Sequence, residues 1–207
     1  MKVLITGPAG FIGSKLLPIL LEQKIDIIGY DNLKYGYHTL LPHLGKKNFH
    51  FINDDIQNIQ NHLDMFDNLD GIIHLAAVVG FPACNKDPDL ANKVNLSSTK
   101  KIVDLKKKDT FFIYASTCSN YGHRGTDKAC DEDAPLKPLT EYGITKTESE
   151  KYVLEKENTT ALRIATAFGI SPRLRLDLLL NNFIIKALTE KKIDIYESFH
   201  RISFIHI

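Results

Sequence analysis

Tyr142 and Lys146 form the residue pair in this chain whose types and spacing are best suited to chemistry. They stand four positions apart in a Tyr-Gly-Ile-Thr-Lys run, so a helix would place both on one face. An ammonium group beside a buried phenol favours the phenolate, and we therefore expect the pKa of Tyr142 to fall toward neutrality. Tyr142 could then exchange a proton with a substrate hydroxyl while a nicotinamide exchanges hydride, and Lys146 could hold the nicotinamide ribose. The same spacing also suits an ordinary pair on a helix surface.

Hydroxyl side chains precede this pair in a stretch that leaves an apolar run. Ser116 and Thr117 stand there, within Tyr114–Gly122. Hydroxyls at the end of a strand could hydrogen-bond the reacting oxygen of a substrate. A turn rich in small polar residues is the alternative interpretation.

Three glycines near the N-terminus predict a pyrophosphate-binding turn. Gly7, Gly10 and Gly13 follow the apolar run Val3–Ile5 and precede an amphipathic segment that opens with Phe11 and Ile12. The first glycine permits a tight turn, the second allows the backbone to approach phosphate, and the third allows the helix to pack on the strand. The start of that helix offers free N–H groups to an anion.

A second apolar run, Ile25 to Tyr30, ends at Asp31, close to the position at which a dinucleotide fold places its ribose-binding acid. A carboxylate there would accept hydrogen bonds from the adenosine ribose and repel a 2′-phosphate. Asn32 adds no positive charge, and Lys34 is the only nearby cation. The sequence therefore predicts NAD rather than NADP, although Asp31 also suits a simple turn.

Two further strand ends carry residues suited to a dinucleotide. Asp55 could accept the adenine amine while Ile56 covers the ring, or Asp55 could be a helix N-cap. After Leu75, the small residues Ala76 and Ala77 would let a cofactor lie against the backbone, or would serve tight helix–sheet packing.

Apolar strand-like runs alternate with amphipathic stretches along the chain, which predicts an α/β fold. The fold class is a doubly wound parallel sheet (Rossmann fold) with helices on both faces, and its ligands bind at the carboxyl edge. The predicted strands are Lys2–Thr6, Ile25–Tyr30, Phe49–Asn53, Gly71–Leu75, Thr110–Ala115 and Thr160–Ala165. The predicted helices are Gly13–Gln23, Ile56–Phe66, Asp89–Lys107 and Tyr142–Lys156, and a surface loop is expected over Ser119–Leu139.

Composition excludes several function classes. The 207 residues carry 26 basic and 25 acidic side chains, a net charge of +1, so no nucleic-acid surface is indicated. No apolar run is long enough to cross a bilayer, and no signal peptide precedes the first strand, so no membrane partner is expected. Three cysteines without metal spacing favour a reduced, cytoplasmic location. Eight histidines lack a paired spacing, and no metal site is predicted.

Together these motifs resemble the extended short-chain dehydrogenase/reductase family, in its NAD-dependent sugar epimerase/dehydratase branch. The resemblance runs almost end to end. Its motifs are residues 6–13, Asp31-Asn32-Leu33, Asp55-Ile56, His74-Leu75-Ala76-Ala77, Asn95, Ala115-Ser116-Thr117, residues 142–146, Leu162-Arg163 and Phe204-Ile205-His206-Ile207.

The resemblance implies a catalytic triad of Thr117, Tyr142 and Lys146 and a retained NAD. Asn95 would be the asparagine that supports the active-site helix, and it is grouped with the cofactor site. A nucleotide-activated sugar is the implied substrate. Its phosphates would be bound by Asn181 or Asn182 and by Arg201, while Arg173 and Arg175 could face phosphate or solvent. Homodimers formed through the tyrosine-bearing helix are also implied.

Departures from the family pattern narrow the expected chemistry. Dehydratases of this family carry an Asp-Glu pair after the active-site threonine, whereas this chain has Cys118 and Ser119, which argues against elimination of water. Thr166 replaces an asparagine of galactose-type epimerases. The family pattern also continues beyond Ile207 into a substrate lobe, so we expect residues 1–165 to form an NAD-binding domain and 166–207 to begin an incomplete substrate-binding region.

The expected function is therefore an NAD-dependent nucleotide-sugar epimerase, or its N-terminal part. Hydride would leave a sugar carbon and return to its other face. An NAD(P)H-dependent reductase of a keto nucleotide sugar would use the same triad. A cofactor-binding protein without catalysis is the third alternative.

Overall fold

A computed structural model describes residues 1–123, 129–196 and 202–207. Six parallel strands form the main sheet in the order β3-β2-β1-β4-β5-β6, and two short parallel strands, β7 and β8, pair separately. The strands are β1 Lys2–Thr6, β2 Asp26–Asp31, β3 Phe49–Asn53, β4 Gly71–His74, β5 Phe111–Thr117, β6 Thr159–Ile164, β7 Thr166–Phe168 and β8 Phe204–His206. The strand order reverses between β1 and β4, which is where folds of this type open a ligand crevice. The parallel Rossmann-like sheet predicted from the sequence is confirmed.

β1 is buried on both faces because its side chains alternate between two apolar layers. Val3 and Ile5 pack in the layer that contains Leu17 of the first helix, whereas Leu4 packs in the opposite layer with Tyr114. Each of these β1 side chains is at most 1% exposed. This two-sided burial explains the continuous apolar run that the sequence shows there.

The described residues contain six α-helices, together with 3₁₀ and π-helical segments. The α-helices are α1 Gly13–Glu22, α2 Phe81–Lys86, α3 Pro88–Ala91, α4 Ser98–Leu105, α5 Glu141–Leu154 and α6 Leu179–Thr189. Residues Ile56–Phe66 and Cys118–Tyr121 form 3₁₀ turns, and Asn92–Ser97 is a π-helical segment between α3 and α4.

Two predicted helices differ from the structure. The segment Ile56–Phe66 is 3₁₀ and is broken at His62, which has φ −128° and ψ 46°. The predicted helix over Asp89–Lys107 is divided by the π-helical segment, which widens the turn around Asn95. The Asn95 carbonyl there accepts hydrogen bonds from the hydroxyls of Thr99 at 2.6 Å and Ser149 at 2.8 Å.

The segment after β7 returns to the glycine-rich turn. The Ser171 hydroxyl donates to the Phe11 carbonyl at 2.7 Å and contacts the Ser14 hydroxyl at 2.9 Å. This seam closes one side of the carboxyl edge of the sheet. None of the helices within the described ranges has the length and apolar character required to span a membrane.

Candidate active site

A cleft of about 1730 Å³ lies along the carboxyl edge of the sheet and collects most of the predicted site residues. The cleft continues from the glycine-rich turn to α5. Its wall includes Gly7, Gly10, Phe11, Ile12, Gly13, Asp31, Asn32, Asp55, Ile56, Leu75, Ala76, Ala77, Thr117, Tyr142 and Lys146.

The glycine-rich turn depends on the absence of side chains at two positions. Gly7 has φ +76°, and a Cβ there would stand 2.9 Å from the Ala76 nitrogen. A Cβ on Gly13 would stand 2.1 Å from the Gly7 carbonyl oxygen, so α1 can begin only with glycine at this point. Gly10 is less constrained, since its nearest such contact is 3.2 Å. The turn therefore leaves backbone, rather than side chains, facing the cleft.

Asp31 and Asp55 stand at the ends of β2 and β3. The Asp31 carboxylate accepts hydrogen bonds from the Ala9 amide at 3.1 Å and the Leu33 amide at 2.9 Å, and burial raises its pKa. The Asn32 amide donates to Asp55 at 2.8 Å. Asp55 also accepts from the Gln57 amide at 2.9 Å, so it is an N-cap as well as a cleft residue.

Arg173 was not predicted to lie near the ribose-binding acid. Its guanidinium carbon stands 3.9 Å from the Tyr35 ring centroid, and its charge partly offsets the rise that burial causes in the Asp31 pKa. Arg175 also lines the cleft and forms an ion pair with Asp177, and it partly offsets the rise that burial causes in the Tyr142 pKa. The structure thus places both arginines at the cleft, which local sequence spacing could not decide.

Thr117, Tyr142 and Lys146 converge at the end of β5. The Thr140 side chain caps α5 by accepting from the Gly143 amide at 3.1 Å, which begins the helix just before Tyr142. Thr117 ends β5, and its hydroxyl donates to the Ser119 hydroxyl at 3.2 Å and partly offsets the rise that burial causes in the Tyr142 pKa. Tyr142 and Lys146 therefore share one face of α5, and that face looks into the cleft.

The predicted fall in the Tyr142 pKa is wrong. Burial raises the pKa of Tyr142 to about 12, and the contributions of Thr117 and Arg175 do not offset it. Lys146 is 3% exposed, and burial lowers its pKa to about 7. Its ammonium stands 4.0 Å from the ring centroid of Tyr114 rather than beside the phenol oxygen. Desolvation thus disfavours the charged form of both members of the pair.

Asn95 lies behind the cleft. Its side chain accepts from the Val78 amide at 2.8 Å and donates to the Val78 carbonyl at 3.0 Å and the Thr145 hydroxyl at 3.3 Å. It thereby joins the segment after β4 to α5. Asn95 is not among the cleft-lining residues of the described chain, and the supporting role that the resemblance implies stays a prediction.

A buried carboxylate, missed in the sequence, lies one turn beyond Lys146. Glu150 accepts from the Ser116 hydroxyl at 2.5 Å and the Asn120 amide at 3.0 Å, and it forms an ion pair with Arg163 at 2.7 Å. Arg163 also donates to the Tyr121 hydroxyl at 2.9 Å. The spacing Tyr142, Lys146 and Glu150 is the sequence signal that could have found it.

The predicted phosphate-binding residues are placed differently. Asn181 is 5% exposed and bonds the backbone of Gly169 and Arg175, so its amide is fully occupied by the protein. Asn182 stands next to it in α6, and neither asparagine is among the cleft-lining residues that the structure describes. Arg201 lies outside the described residues. Among the residues that the structure describes, no group of three or more histidine, cysteine or acidic side chains is placed to hold a metal ion.

The fold and this cleft define a dinucleotide-binding protein with a threonine, tyrosine and lysine grouped beside the cofactor crevice. A family model described as the NAD dependent epimerase/dehydratase family matches residues 3–207, and the chain belongs to that family. NAD is the family's cofactor, and the glycine cradle, the Asp31 carboxylate and the backbone-lined wall of this cleft fit it.

Known proteins from several organisms are similar to this chain. The uncharacterized UDP-glucose epimerase YtcB of Bacillus subtilis is 31% identical over 95% of the chain, and a UDP-glucuronate 4-epimerase of Thermodesulfobacterium geofontis is 31% identical over 93%. A Bacillus cereus UDP-glucuronic acid 4-epimerase, solved with UDP-glucuronic acid and NAD, is 28% identical with a TM-score of 0.85. The chain spans 65%, 64% and 69% of these three proteins, respectively.

Proposed function

We propose that this chain carries the cofactor-binding and proton-transfer part of an NAD-dependent nucleotide-sugar epimerase. The observation that carries the proposal is the convergence of Thr117, Tyr142 and Lys146 on the cleft that also contains the glycine-rich turn. A proton-transfer group and a hydride acceptor must reach the same sugar carbon, and this cleft brings their sites together. The similar proteins whose printed names describe UDP-sugar epimerases support the same reaction.

The residues that would hold NAD follow from the strand ends. Gly7, Gly10 and Gly13 would bind the pyrophosphate at the start of α1, together with the backbone of Phe11 and Ile12. The other ligands would be Asp31 and Asn32 at the adenosine ribose, Asp55 and Ile56 at the adenine, Leu75, Ala76 and Ala77 under the dinucleotide, and Tyr142 and Lys146 at the nicotinamide ribose. Asn95 would support this site through Val78 and Thr145.

Tyr142 would act as the proton acceptor and donor at the sugar hydroxyl, and Thr117 would hydrogen-bond the same oxygen. Bound NAD would supply the hydride acceptor and donor for the sugar carbon. Since burial raises the pKa of Tyr142 to about 12, proton removal would require further stabilisation of the phenolate, which Thr117, Arg175 and a charged Lys146 would supply. Cys118 and Ser119 supply no acid and base pair, so water elimination is not part of the proposal.

The substrate would be a UDP-linked sugar. Arg173 and Arg175 line the cleft and supply two cations to it. Both could bind diphosphate or an acidic sugar, with Arg175 held by Asp177. Asn182 and Arg201 stay predictions for phosphate binding, and Asn181 would act through the Arg175 carbonyl, to which its amide donates at 2.9 Å.

The organisation of the protein is part of the proposal. Residues 1–165 would form the NAD-binding domain and 166–207 would begin the substrate-binding region. We place the protein in the cytoplasm, since its three cysteines are free, and infer a homodimer through α5. Light scattering of the purified chain at several concentrations tests the dimer.

The deciding experiment starts with the nucleotide that the purified chain releases on denaturation, identified by mass spectrometry. The chain is then incubated separately with UDP-glucose and UDP-glucuronate. We expect bound NAD, interconversion of one sugar with its epimer, and no net change in NADH. Tyr142→Phe should lower turnover by about a hundredfold or more. Tyr152→Phe is the matched control, because this tyrosine lies on the same helix but bonds Asp104 at the surface.

Other outcomes would overturn the proposal. Net consumption of NADH or NADPH with a keto sugar nucleotide would identify a reductase. Bound NAD without conversion of either sugar would leave a cofactor-binding protein. Full turnover by Tyr142→Phe would remove Tyr142 from the mechanism.

A further inference from the structure

Three buried side chains stand side by side across the centre of the sheet. The strand register pairs Thr6 with His74 and His74 with Tyr114. The Thr6 hydroxyl and the His74 ring are 2.7 Å apart, and the His74 and Tyr114 rings stack with centroids 5.9 Å apart. None of the three is more than 1% exposed. The row therefore connects the strand before the glycine-rich turn to the centre of β5.

Tyr114, at the end of this row, lies directly under Lys146. The ammonium nitrogen is 4.0 Å from the ring centroid. Within the described part of the chain, this ammonium has neither a hydrogen bond nor an ion pair at bonding distance, although Lys146 is only 3% exposed. A desolvated cation over an aromatic face is attracted by the ring's quadrupole, so the ring supplies direct stabilisation of the charge.

The other titratable groups around Lys146 do not replace this contact. Glu150, one turn further along α5, favours the ammonium electrostatically, and Cys84 of α2 does so only if it is ionised. Burial raises the pKa of Cys84 to about 11, so that thiol is neutral at neutral pH. Burial and Lys146 lower the pKa of His74 to about 3, so the imidazole next to Tyr114 is also neutral. Tyr142, on the same helix, is an uncharged phenol at neutral pH.

We propose that Tyr114 is a positioning residue whose ring face carries the ammonium of Lys146, and that Thr6 and His74 hold this ring in place. The row gives Lys146 a fixed height above the sheet and keeps it charged where the nicotinamide ribose would lie. A neutral His74 is required, because an imidazolium under the ring would repel the ammonium. The catalytic purpose of this arrangement rests on the proposed function, whereas the contact itself is tested without it.

The test measures the protonation of Lys146 directly. In the full-length chain labelled with ¹³C at lysine Cε, the Lys146 resonance is assigned from its loss in Lys146→Arg and is titrated with pH. Tyr114→Phe keeps the ring face and should leave the titration midpoint unchanged. A trifluorinated phenylalanine at position 114 keeps the shape but weakens the quadrupole, and it should lower the protonation constant of Lys146 by about three- to thirtyfold.

Phe112 provides the matched control. It is buried on the same strand and packs against His74 with centroids 6.0 Å apart, but it does not carry Lys146. The same fluorinated residue at position 112 should leave the Lys146 midpoint where it was. An identical midpoint for phenylalanine and its fluorinated form at position 114 would overturn the proposal, as would an equal shift from position 112.

Activity gives a second readout that separates this proposal from the proposed function. If turnover needs charged Lys146, activity falls as the pH rises through the pKa of Lys146, and the fluorinated variant should lose activity at lower pH than Tyr114→Phe. A shift in the Lys146 resonance without any epimerase activity would retain the contact and reject the function. Epimerase activity with no shift in the resonance would retain the function and reject the contact.

Discussion

Arg163 donates to a single carboxylate oxygen of Glu150 through two nitrogens, at 2.7 and 2.9 Å. Glu150 lies two turns beyond Tyr142 on α5, and Arg163 lies on β6 and also donates to the Glu132 carbonyl at 2.8 Å. The pair therefore fastens the helix that carries the tyrosine to the loop above the cleft. With side-chain exposures of 17% and 2%, it is largely removed from water.

Removing one partner of this ion pair should lower the free energy of unfolding. Arg163→Met leaves the Glu150 carboxylate buried and should lower the free energy of unfolding by about 3 kcal/mol in urea titrations. Adding Glu150→Gln removes the unpaired charge, so the double variant should be more stable than Arg163→Met alone. Lys151→Met, which breaks the exposed pair with Glu148, should cost less than about 0.5 kcal/mol. Equal losses from the two pairs would contradict this prediction.

Gly13 and Gly10 should respond differently to alanine. At Gly13 the new methyl would stand 2.1 Å from a backbone oxygen, so Gly13→Ala should destabilise the fold by about 3 kcal/mol. Gly10→Ala should change the free energy of unfolding by no more than about 1 kcal/mol. It should nevertheless weaken NAD binding tenfold or more, because its methyl group would lie where the pyrophosphate binds. Thermal unfolding and NAD calorimetry separate the two effects. Similar melting temperatures for both variants would show that the turn can relax.

Asp31 should decide the preference between NAD and NADP. Asp31→Ser removes a negative charge and leaves Arg173 beside the site, so the ratio of NADP to NAD affinity should rise about tenfold or more. Equilibrium titration with both nucleotides measures this ratio. Asp26→Ser, at the exposed start of the same strand, should leave it unchanged. An unaltered ratio in Asp31→Ser would place the ribose elsewhere.

His74 should make stability depend on pH. Its pKa is lowered to about 3 in the fold by burial, whereas an unfolded histidine has a pKa near 6.5. Between these values the unfolded chain binds the extra proton, so stability falls as the pH is lowered. From pH 7 to pH 5, the parent chain should lose about 2 kcal/mol more than His74→Gln, measured by urea unfolding at each pH. Parallel losses in both proteins would show that the pKa of His74 in the fold equals its value in the unfolded chain.

Periodicity and glycine spacing were sufficient to predict the parallel sheet and the cofactor half of the cleft. The β1 run is apolar on both faces because the strand is central, and Gly13 is required because a Cβ there would stand 2.1 Å from the Gly7 carbonyl oxygen in the same turn. Asp31 and Asp55 follow strands directly, so their position at the carboxyl edge depends only on strand direction. These features are local, and a single sequence contains them.

Features that depend on distant residues could not be predicted in this way. The Tyr142 pKa rises because tertiary packing desolvates the phenol, and Lys146 turns to a ring on β5 rather than to its helical neighbour. The tertiary fold places Arg173 close enough to act on the Asp31 carboxylate, although the two residues are far apart in sequence. α6 was not predicted, although apolar residues recur at helical spacing along Leu179–Thr189. Its only buried residue is Asn181, which bonds backbone, and Ile184 and Leu188 are more than half exposed.

The Ser171 seam has a consequence for biosynthesis. Its hydroxyl bonds Phe11 and Ser14, which the ribosome adds more than 150 positions earlier. At about 5–20 residues per second, the ribosome takes roughly ten seconds or more to add the missing partner, and the exit tunnel delays it further. A nascent chain can therefore form β1 and β2 early, but the wall beside its glycine-rich turn is completed only after Ser171 has emerged. We accordingly expect stable capture of NAD only once Ser171 has left the exit tunnel.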